Sequence, residues 1–196
     1  VVYMDAAMEM LRGQHPKKEI LPGGILYYHI DDPVLESDTP LSDEEAEQAL
    51  LFALRPDGLV NSGEEIYRAM DQNFEGKSQM IPVEIKKNGE ISTARSKVAS
   101  TEEFAVITRY VEHEIRQCGE AIYAGNIAVN PYRSDIETSC TYCPYASVCG
   151  MDAKIPGYEY RQFASMKKEE VLDQMQTELA RNRGKEERSD EMDEGT

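Results

Sequence analysis

The segment Cys140-Thr141-Tyr142-Cys143-Pro144-Tyr145-Ala146-Ser147-Val148-Cys149 holds three of the chain's four cysteines, spaced C-x2-C-x5-C. A C-x2-C pair lets two sulfurs reach one centre from a single tight turn. A third cysteine after five residues can close round the same centre. Thiolates at such spacing bind iron–sulfur clusters or zinc, and both normally take four ligands. This stretch supplies three. A fold built round it must present an irregular loop to a metal and bring one more ligand from elsewhere.

Length and charge narrow the classes. The 196 residues suffice for one domain with a core, or for part of a larger one. The first residues, Val1-Val2-Tyr3, include no Met, and the expectation is a fragment or a trimmed product. No apolar run approaches the roughly 20 residues of a membrane span. The amino-terminal stretch has no basic leader, and Asp5 and Glu9 interrupt it, so it does not read as a signal peptide. One cysteine stands well apart from the other three, which argues against a disulfide framework and for a metal site in a reducing cytoplasm. The net charge of −16 excludes a surface built as a whole to wrap nucleic acid, though not a DNA-handling protein whose channel lies outside this segment. Part of the excess is local: Glu186, Glu187, Asp190, Glu191, Asp193 and Glu194 crowd the end of the chain. Residues 181–196 read as a solvated, disordered acidic tail.

The rest reads as mixed α and β. Residues 1–12 form a helix with Tyr3, Ala6, Ala7, Met10 and Leu11 on its apolar face, stopped by Gly13 and Pro16. No N-cap is visible, so the expectation is that this helix begins before Val1. After Pro22-Gly23-Gly24, the run Ile25-Leu26-Tyr27-Tyr28-His29-Ile30 reads as a buried strand. Ser42 and Glu45 form a capping box for a helix to about Leu54, striped by Ala46, Ala49, Leu50, Ala53 and Leu54, and Arg55-Pro56-Asp57-Gly58 ends it. A short helix follows near 64–70. Residues 81–91 are a hairpin turning at Asn88-Gly89. Ser100 and Glu103 cap a long helix to about Ala124, ended by Gly125, with Phe104, Ile107, Val111, Ile115, Cys118 and Ile122 in its stripe. A last helix spans about 165–180, with Val171, Leu172, Met175 and Leu179 on one side.

Several residues need two readings each. Cys118 is a candidate fourth ligand, but it falls in step with an apolar stripe, where a free cysteine packs as a small hydrophobe, and the core reading is preferred. His113 and Asp152 are weaker ligand candidates, because cluster ligands are usually thiolates. His29 reads as a packed or hydrogen-bonded strand histidine in preference to a catalytic base. In Glu84-Ile85-Lys86, a strand would point Glu84 and Lys86 to one face, as the Glu-x-Lys of metal-dependent nucleases requires. The pattern is short, no strand-borne Asp precedes it, and Glu–Lys alternation on a hairpin is common, so a structural pair is preferred. No G-x-x-x-x-G-K-S/T, H-E-x-x-H or G-x-S-x-G motif is present.

Taken together, Pro22-Gly23-Gly24-Ile25-Leu26-Tyr27-Tyr28, Gly125-Asn126-Ile127-Ala128-Val129-Asn130-Pro131-Tyr132 and the cysteine segment through Gly150 resemble the C-terminal part of the AddB family, found in the bacterial AddAB ATP-dependent helicase–nucleases. The hairpin and Ser96-Lys97-Val98 support the likeness, which covers most of residues 1–155. Related CRISPR-associated nucleases share the three-cysteine ending, but the distance from Tyr3 to Cys140 is too long for them.

The resemblance implies an α+β fold: the C-terminal portion of a restriction-endonuclease-like, PD-(D/E)XK nuclease domain with added helices. Residues 1–160 would be nuclease domain, 161–180 a C-terminal helix and 181–196 the tail. It implies that Cys140, Cys143 and Cys149 hold a structural 4Fe-4S cluster whose fourth cysteine lies upstream. The catalytic Asp and Asp/Glu-x-Lys, with the Mg2+ they hold, would also lie upstream, leaving no catalytic residue here except Tyr3 as the possible end of a Gln-x-x-x-Tyr motif. The parent would be an Mg2+-dependent exodeoxyribonuclease that processes double-strand DNA breaks for recombination, with an AddA-like helicase–nuclease partner, DNA as substrate, and no membrane. The residues alone leave a second account open: a non-enzymatic, zinc-stabilised interaction module in which Cys118 completes a four-cysteine site.

Overall fold

The computed structural model describes residues 1–30, 32–72, 74–135 and 137–193, the side chains of 183–193 excepted. The chain divides into two compact units, Val1–Val111 and Glu112–Thr196. Helices and strands are mixed in an α+β arrangement, as expected.

The first unit is organised on a three-stranded sheet, β1 (Gly24–Tyr27), β2 (Asp57–Asn61) and β3 (Val98–Ala99), in the order β1-β2-β3. β1 and β2 are antiparallel, with Gly24 opposite Val60 and Tyr27 opposite Asp57. β2 and β3 are parallel, with Val60 opposite Val98. The central strand β2 lies outside the sequence expectation; Asp57-Gly58 reads locally as a helix stop, and its strand character comes from being paired on both sides. Gly58 must be glycine here. Its φ is +145°, and a Cβ would lie 2.0 Å from the Ile25 carbonyl oxygen. Glycine alone admits that approach.

The core of this unit gathers Val60, Tyr67, Phe74, Ile81, Val83, Ile85 and Val98. Burying each such side chain stabilises by about 1.5–3 kcal/mol. Tyr67 and Phe74 meet edge to face at 6.2 Å. The segment 77–91 enters this core as a hairpin of single bridges, Lys77–Glu84 and Ile85–Ile91. Its turn forms at the expected place. The Gly89 N–H donates to the Lys86 carbonyl at 2.9 Å, and Gly89 has φ +85°.

The helices of this unit follow local sequence chemistry closely. α1 is Val2–Gln14 and ends two residues later than expected, since Gly13 is carried inside it and the helix stops before Pro16. No residue of α1 is buried. The expected buried strand also differs: β1 ends at Tyr27, and Tyr27, Tyr28, His29 and Ile30 are exposed. Among the described residues β1 is an edge strand of this sheet, paired to β2. α2 is Asp43–Ala53, with the capping box closed in both directions between Ser42 and Glu45. Of its stripe, Ala46, Ala49 and Leu54 are half-buried. α3 is Glu64–Met70, as expected.

α4, Thr101–Tyr123, starts at the second capping box: the Ser100 N–H donates to Glu103 Oε2 at 2.7 Å, and the Glu103 N–H to Ser100 Oγ at 3.2 Å. It is followed by Gly125, whose φ is +69°. Of its stripe only Phe104 is buried, with Val106 buried beside it, whereas Ile115 is 53% and Ile122 77% exposed. In the second unit, β4 (Tyr132–Arg133) and β5 (Arg161–Gln162) form a short parallel pair, with the brief helix α5 (Ala146–Cys149) between them. α6 is Lys168–Asp193, with Leu172 buried and Val171, Met175 and Leu179 half-buried. It runs past the expected end near 180, into the segment expected to be disordered, where Glu, Lys and Arg favour helix. The last three residues of the expected tail, 194–196, lie outside the described residues.

One buried polar side chain joins the pieces of the first unit. Asn61, at 1% exposure, donates through Nδ2 to the Pro22 carbonyl at 2.8 Å and to Thr101 Oγ1 at 3.0 Å. Its Oδ1 accepts from the Gly63 N–H at 2.9 Å. Replacing Asn61 with Ala strands these partners and should lower local stability by about 2–4 kcal/mol, since each unsatisfied buried polar group costs about 1–3 kcal/mol. Hydrogen exchange checks this: amides at the starts of α3 and α4 should lose roughly 30- to 1,000-fold of their protection, and unchanged protection would refute it.

Candidate metal centre

The three clustered cysteines lie on one long excursion, residues 134–160, that leaves β4 and returns at β5. Its neck is well tied. The Arg161 N–H donates to the Pro131 carbonyl and the Phe163 N–H to the Arg133 carbonyl, both at 2.9 Å. Tyr132 and Phe163 pack edge to face with ring centres 5.6 Å apart. Arg161 Nε donates to the Asn130 carbonyl at 3.3 Å.

Just inside the neck the chain folds back on β4. Thr138 bridges Arg133, the Tyr132 N–H donates to Ser139 Oγ at 3.1 Å, and the Ser139 N–H donates to the Tyr132 carbonyl at 3.1 Å. This sets the approach to Cys140, whose own N–H donates to Thr138 Oγ1 at 3.2 Å. The C-x2-C pair then forms the tight turn its spacing predicts, with the Cys143 N–H donating to the Cys140 carbonyl at 3.3 Å. Cys149 is the last residue of α5, followed by Gly150 at φ +64°.

All four thiols are free; Cys140, Cys143 and Cys149 are half-buried and Cys118 is exposed. Three soft sulfur donors on an irregular, partly open loop suit an iron–sulfur cluster or zinc. Among the described residues, no group of three His, Cys, Asp or Glu side chains is assembled to hold a metal ion.

Two residues near Cys140 carry no signal in the sequence. Tyr160 lies immediately before β5, and the side chain of Cys140 is the largest influence on its phenol. The neighbouring Cys140 side chain raises the phenol above its ordinary pKa, desolvation acts in the same direction, and Arg133 opposes them. The Arg133 guanidinium stacks over the Tyr160 ring, 4.3 Å from its centre. Nothing in the spacing of Arg133 and Tyr160 announces this stack, because it depends on the parallel pairing of β4 with β5.

The other candidates separate clearly. Cys118 is not in a core: the half of α4 that carries it is largely exposed, which corrects the preferred reading of that stripe. His113 Nε2 is 2.7 Å from Asn182 Nδ2, a contact that links α4 to α6. Asp152 closes a local turn, accepting the Lys154 N–H at 2.9 Å. His29 is exposed beyond the end of β1 and is not packed. Tyr3 is 93% exposed, so it is not a packed core tyrosine. It borders a groove of about 520 Å³ with Met4, Met8, Leu11, Ile25 and Leu26. Glu84 is taken up by Arg95, with Oε1 2.9 Å from Nη1, and Lys86 sits exposed at the hairpin turn. That arrangement matches the structural reading of the pair.

Residues 1–150 match the PD-(D/E)XK nuclease superfamily, and the chain belongs to it. More particularly, the chain is similar to proteins named as the B subunit of an ATP-dependent helicase/deoxyribonuclease. The relative in Thermoanaerobacter sp. (strain X514) is 37% identical over 179 residues, covering 91% of this chain and 15% of the relative. That in Lachnoclostridium phytofermentans is 38% identical, covering 87% and 15%. That in Clostridium botulinum (strain Hall) is 36% identical, covering 91% and 16%. The chain thus spans about 15% of the length of these relatives. Among the described residues no helix is long and apolar enough to cross a membrane.

The placement of Cys118 gives a direct expectation. A thiol-directed maleimide under native conditions should label Cys118 at close to the rate of a free thiol in solution, read by peptide mass mapping. Labelling only after denaturation would return it to a core.

Proposed function

We propose that this chain is the cysteine-bearing C-terminal part of the nuclease domain of an AddB-type protein. In this reading Cys140, Cys143 and Cys149 supply three ligands to a structural 4Fe-4S cluster, and the fourth is a cysteine upstream of Val1. The observation that carries it is the similarity, over about nine-tenths of the chain, to relatives named as a helicase/deoxyribonuclease component. The tied neck at β4 and β5 supports it, because it presents three soft donors from one anchored loop. When bound, the cluster would act as a cross-link between the loop and the upstream part of the domain, with no redox step on a substrate.

The parent protein would cut DNA strands with Mg2+ held by carboxylates upstream, in the cytoplasm, while processing double-strand breaks alongside an AddA-like helicase–nuclease partner. Here the chain contributes stability and placement, not the attacking chemistry. Tyr3 would end the Gln-x-x-x-Tyr motif, and its exposed ring is free to meet groups from outside this chain.

A zinc module is the second reading, and one observation favours it. Cys118 is an exposed free thiol in the same compact unit as the other three cysteines. Metal content separates the two: iron with acid-labile sulfide for the cluster, or zinc at one per chain.

In the full-length protein, replacing Cys140, Cys143 or Cys149 with Ser should each abolish bound iron and labile sulfide, measured by colorimetric assay. Unchanged iron in all three variants would defeat the cluster. Glu84→Gln removes only the charge partner of Arg95, and exposed pairs of this kind are worth about 0.2–1 kcal/mol. Nuclease activity should therefore stay within about twofold of wild type, and a loss of about 100-fold or more would identify Glu84 as a metal-binding carboxylate.

A further inference from the structure

We propose that the cleft where the turn of the 77–91 hairpin meets the end of α3 holds the phosphate backbone of a DNA strand, with Lys86 and Lys87 as its contacts and Arg68 as a fixed charge behind them. The inference rests on the nuclease reading above and adds a DNA contact to it.

Charge singles out this part of the chain. The net charge is −16, yet residues 77–97 carry five basic side chains against two carboxylates. Two of the five are engaged: Arg95 pairs with Glu84 at 2.9 Å, and Lys97 with Asp57 at 2.6 Å. Lys86 and Lys87 are exposed at the hairpin turn, and among the described residues no ion pair engages either. They border a cleft of about 440 Å³ together with Arg68, Glu75, Gly76 and Gly89. Its lining thus sets three cations against one carboxylate. Gly76 and Gly89 raise no side-chain wall, and a Cβ at either would meet open space.

Arg68 is held in place. Its Nη1 donates to the Phe74 carbonyl at 3.0 Å, and its guanidinium lies 5.1 Å from the centre of the Phe74 ring. Glu64 Oε1 stands 3.9 Å from its Nε, a long and solvent-screened contact that neutralises little of its charge. A guanidinium fixed in this way loses little further freedom on meeting a phosphate, while two lysines on a turn adapt to the strand. Glu84 is taken up by Arg95 and lies outside the cleft lining, so Lys86 acts here as a phosphate contact and not as half of a Glu-x-Lys pair. A DNA strand carries one negative charge per roughly 3.4 Å. A net-acidic surface repels it except where cations are grouped, and the grouping at this cleft sets where a strand can lie.

The test uses the full-length protein in its complex, with ATP and Mg2+ withheld so that the DNA stays intact. The probe is a fluorescent DNA duplex with a single-stranded end, and its affinity is measured by anisotropy across a salt series. Each phosphate contact contributes about 0.7–0.9 to the steepness of log affinity against log salt. Lys86→Ala with Lys87→Ala should therefore reduce that steepness by about 1–2 and weaken low-salt binding by about tenfold. Lys86→Arg with Lys87→Arg should keep both at wild-type values. As a control, Lys17→Ala with Lys18→Ala removes the same charge from the connection between α1 and β1, and it should match wild type. Unchanged steepness and affinity in the Lys86→Ala, Lys87→Ala complex overturn the proposal, and so does an equal change in the control. Weaker assembly of the subunits with unchanged DNA binding overturns it in favour of an acidic protein surface at the cleft. Wild-type complex that neither binds DNA nor cuts it once ATP and Mg2+ are restored overturns the nuclease reading first, before any variant is made.

Discussion

The first unit depends on where a single amide is satisfied. Asn61 ends the central strand in a buried position, so its side chain must find its partners within the protein. It finds them in three directions: the loop before β1, the start of α3 and the start of α4. Sheet and helices are thereby locked in one relation that apolar packing alone would leave looser. Hydrophobic contact is non-directional. A buried amide with two donors and an acceptor all engaged is not, and a half-engaged one would be worse than an apolar residue. The close approach of β1 to Gly58 adds a second directional constraint, because no side chain fits between that glycine and the Ile25 carbonyl.

The second unit solves a different problem. A long irregular loop with three thiols has few apolar groups to bury and a large conformational entropy to restrain. The chain restrains it at the ends. Two short strands, one aromatic pair and a few side-chain bonds hold the neck, and local turns set the approach to Cys140. Closing a loop costs entropy that grows only slowly with its length, so a small neck can hold a long excursion.

Legibility in the sequence tracks the range of the interactions. Both capping boxes, the Asn88-Gly89 turn, the short helix 64–70 and the stop at Gly125 are readable because each is decided within a few residues. The cysteine turn is readable for the same reason. β2 is not, since Asp57-Gly58 carries a local turn signal that pairing with β1 and β3 overrides. β4 and β5 are not, since Tyr132 and Arg161 meet only after the whole loop has closed. Tyr160 inherits that opacity: its stack with Arg133 is a property of the neck and not of any motif.

Cys118 shows the opposite limit, where a clear pattern reads too far. Phe104, Ile107, Val111, Ile115, Cys118 and Ile122 do fall on one helical stripe, and Phe104 is buried as the pattern predicts. Beyond Val111 the same stripe continues into residues that are exposed. Periodicity records which face of a helix is apolar; it does not record what, if anything, lies against that face. A cysteine in such a stripe can therefore be a packed hydrophobe at one end of a helix and an open thiol at the other. The exposure of Cys118 is decided by what packs against its part of α4, which the stripe does not encode.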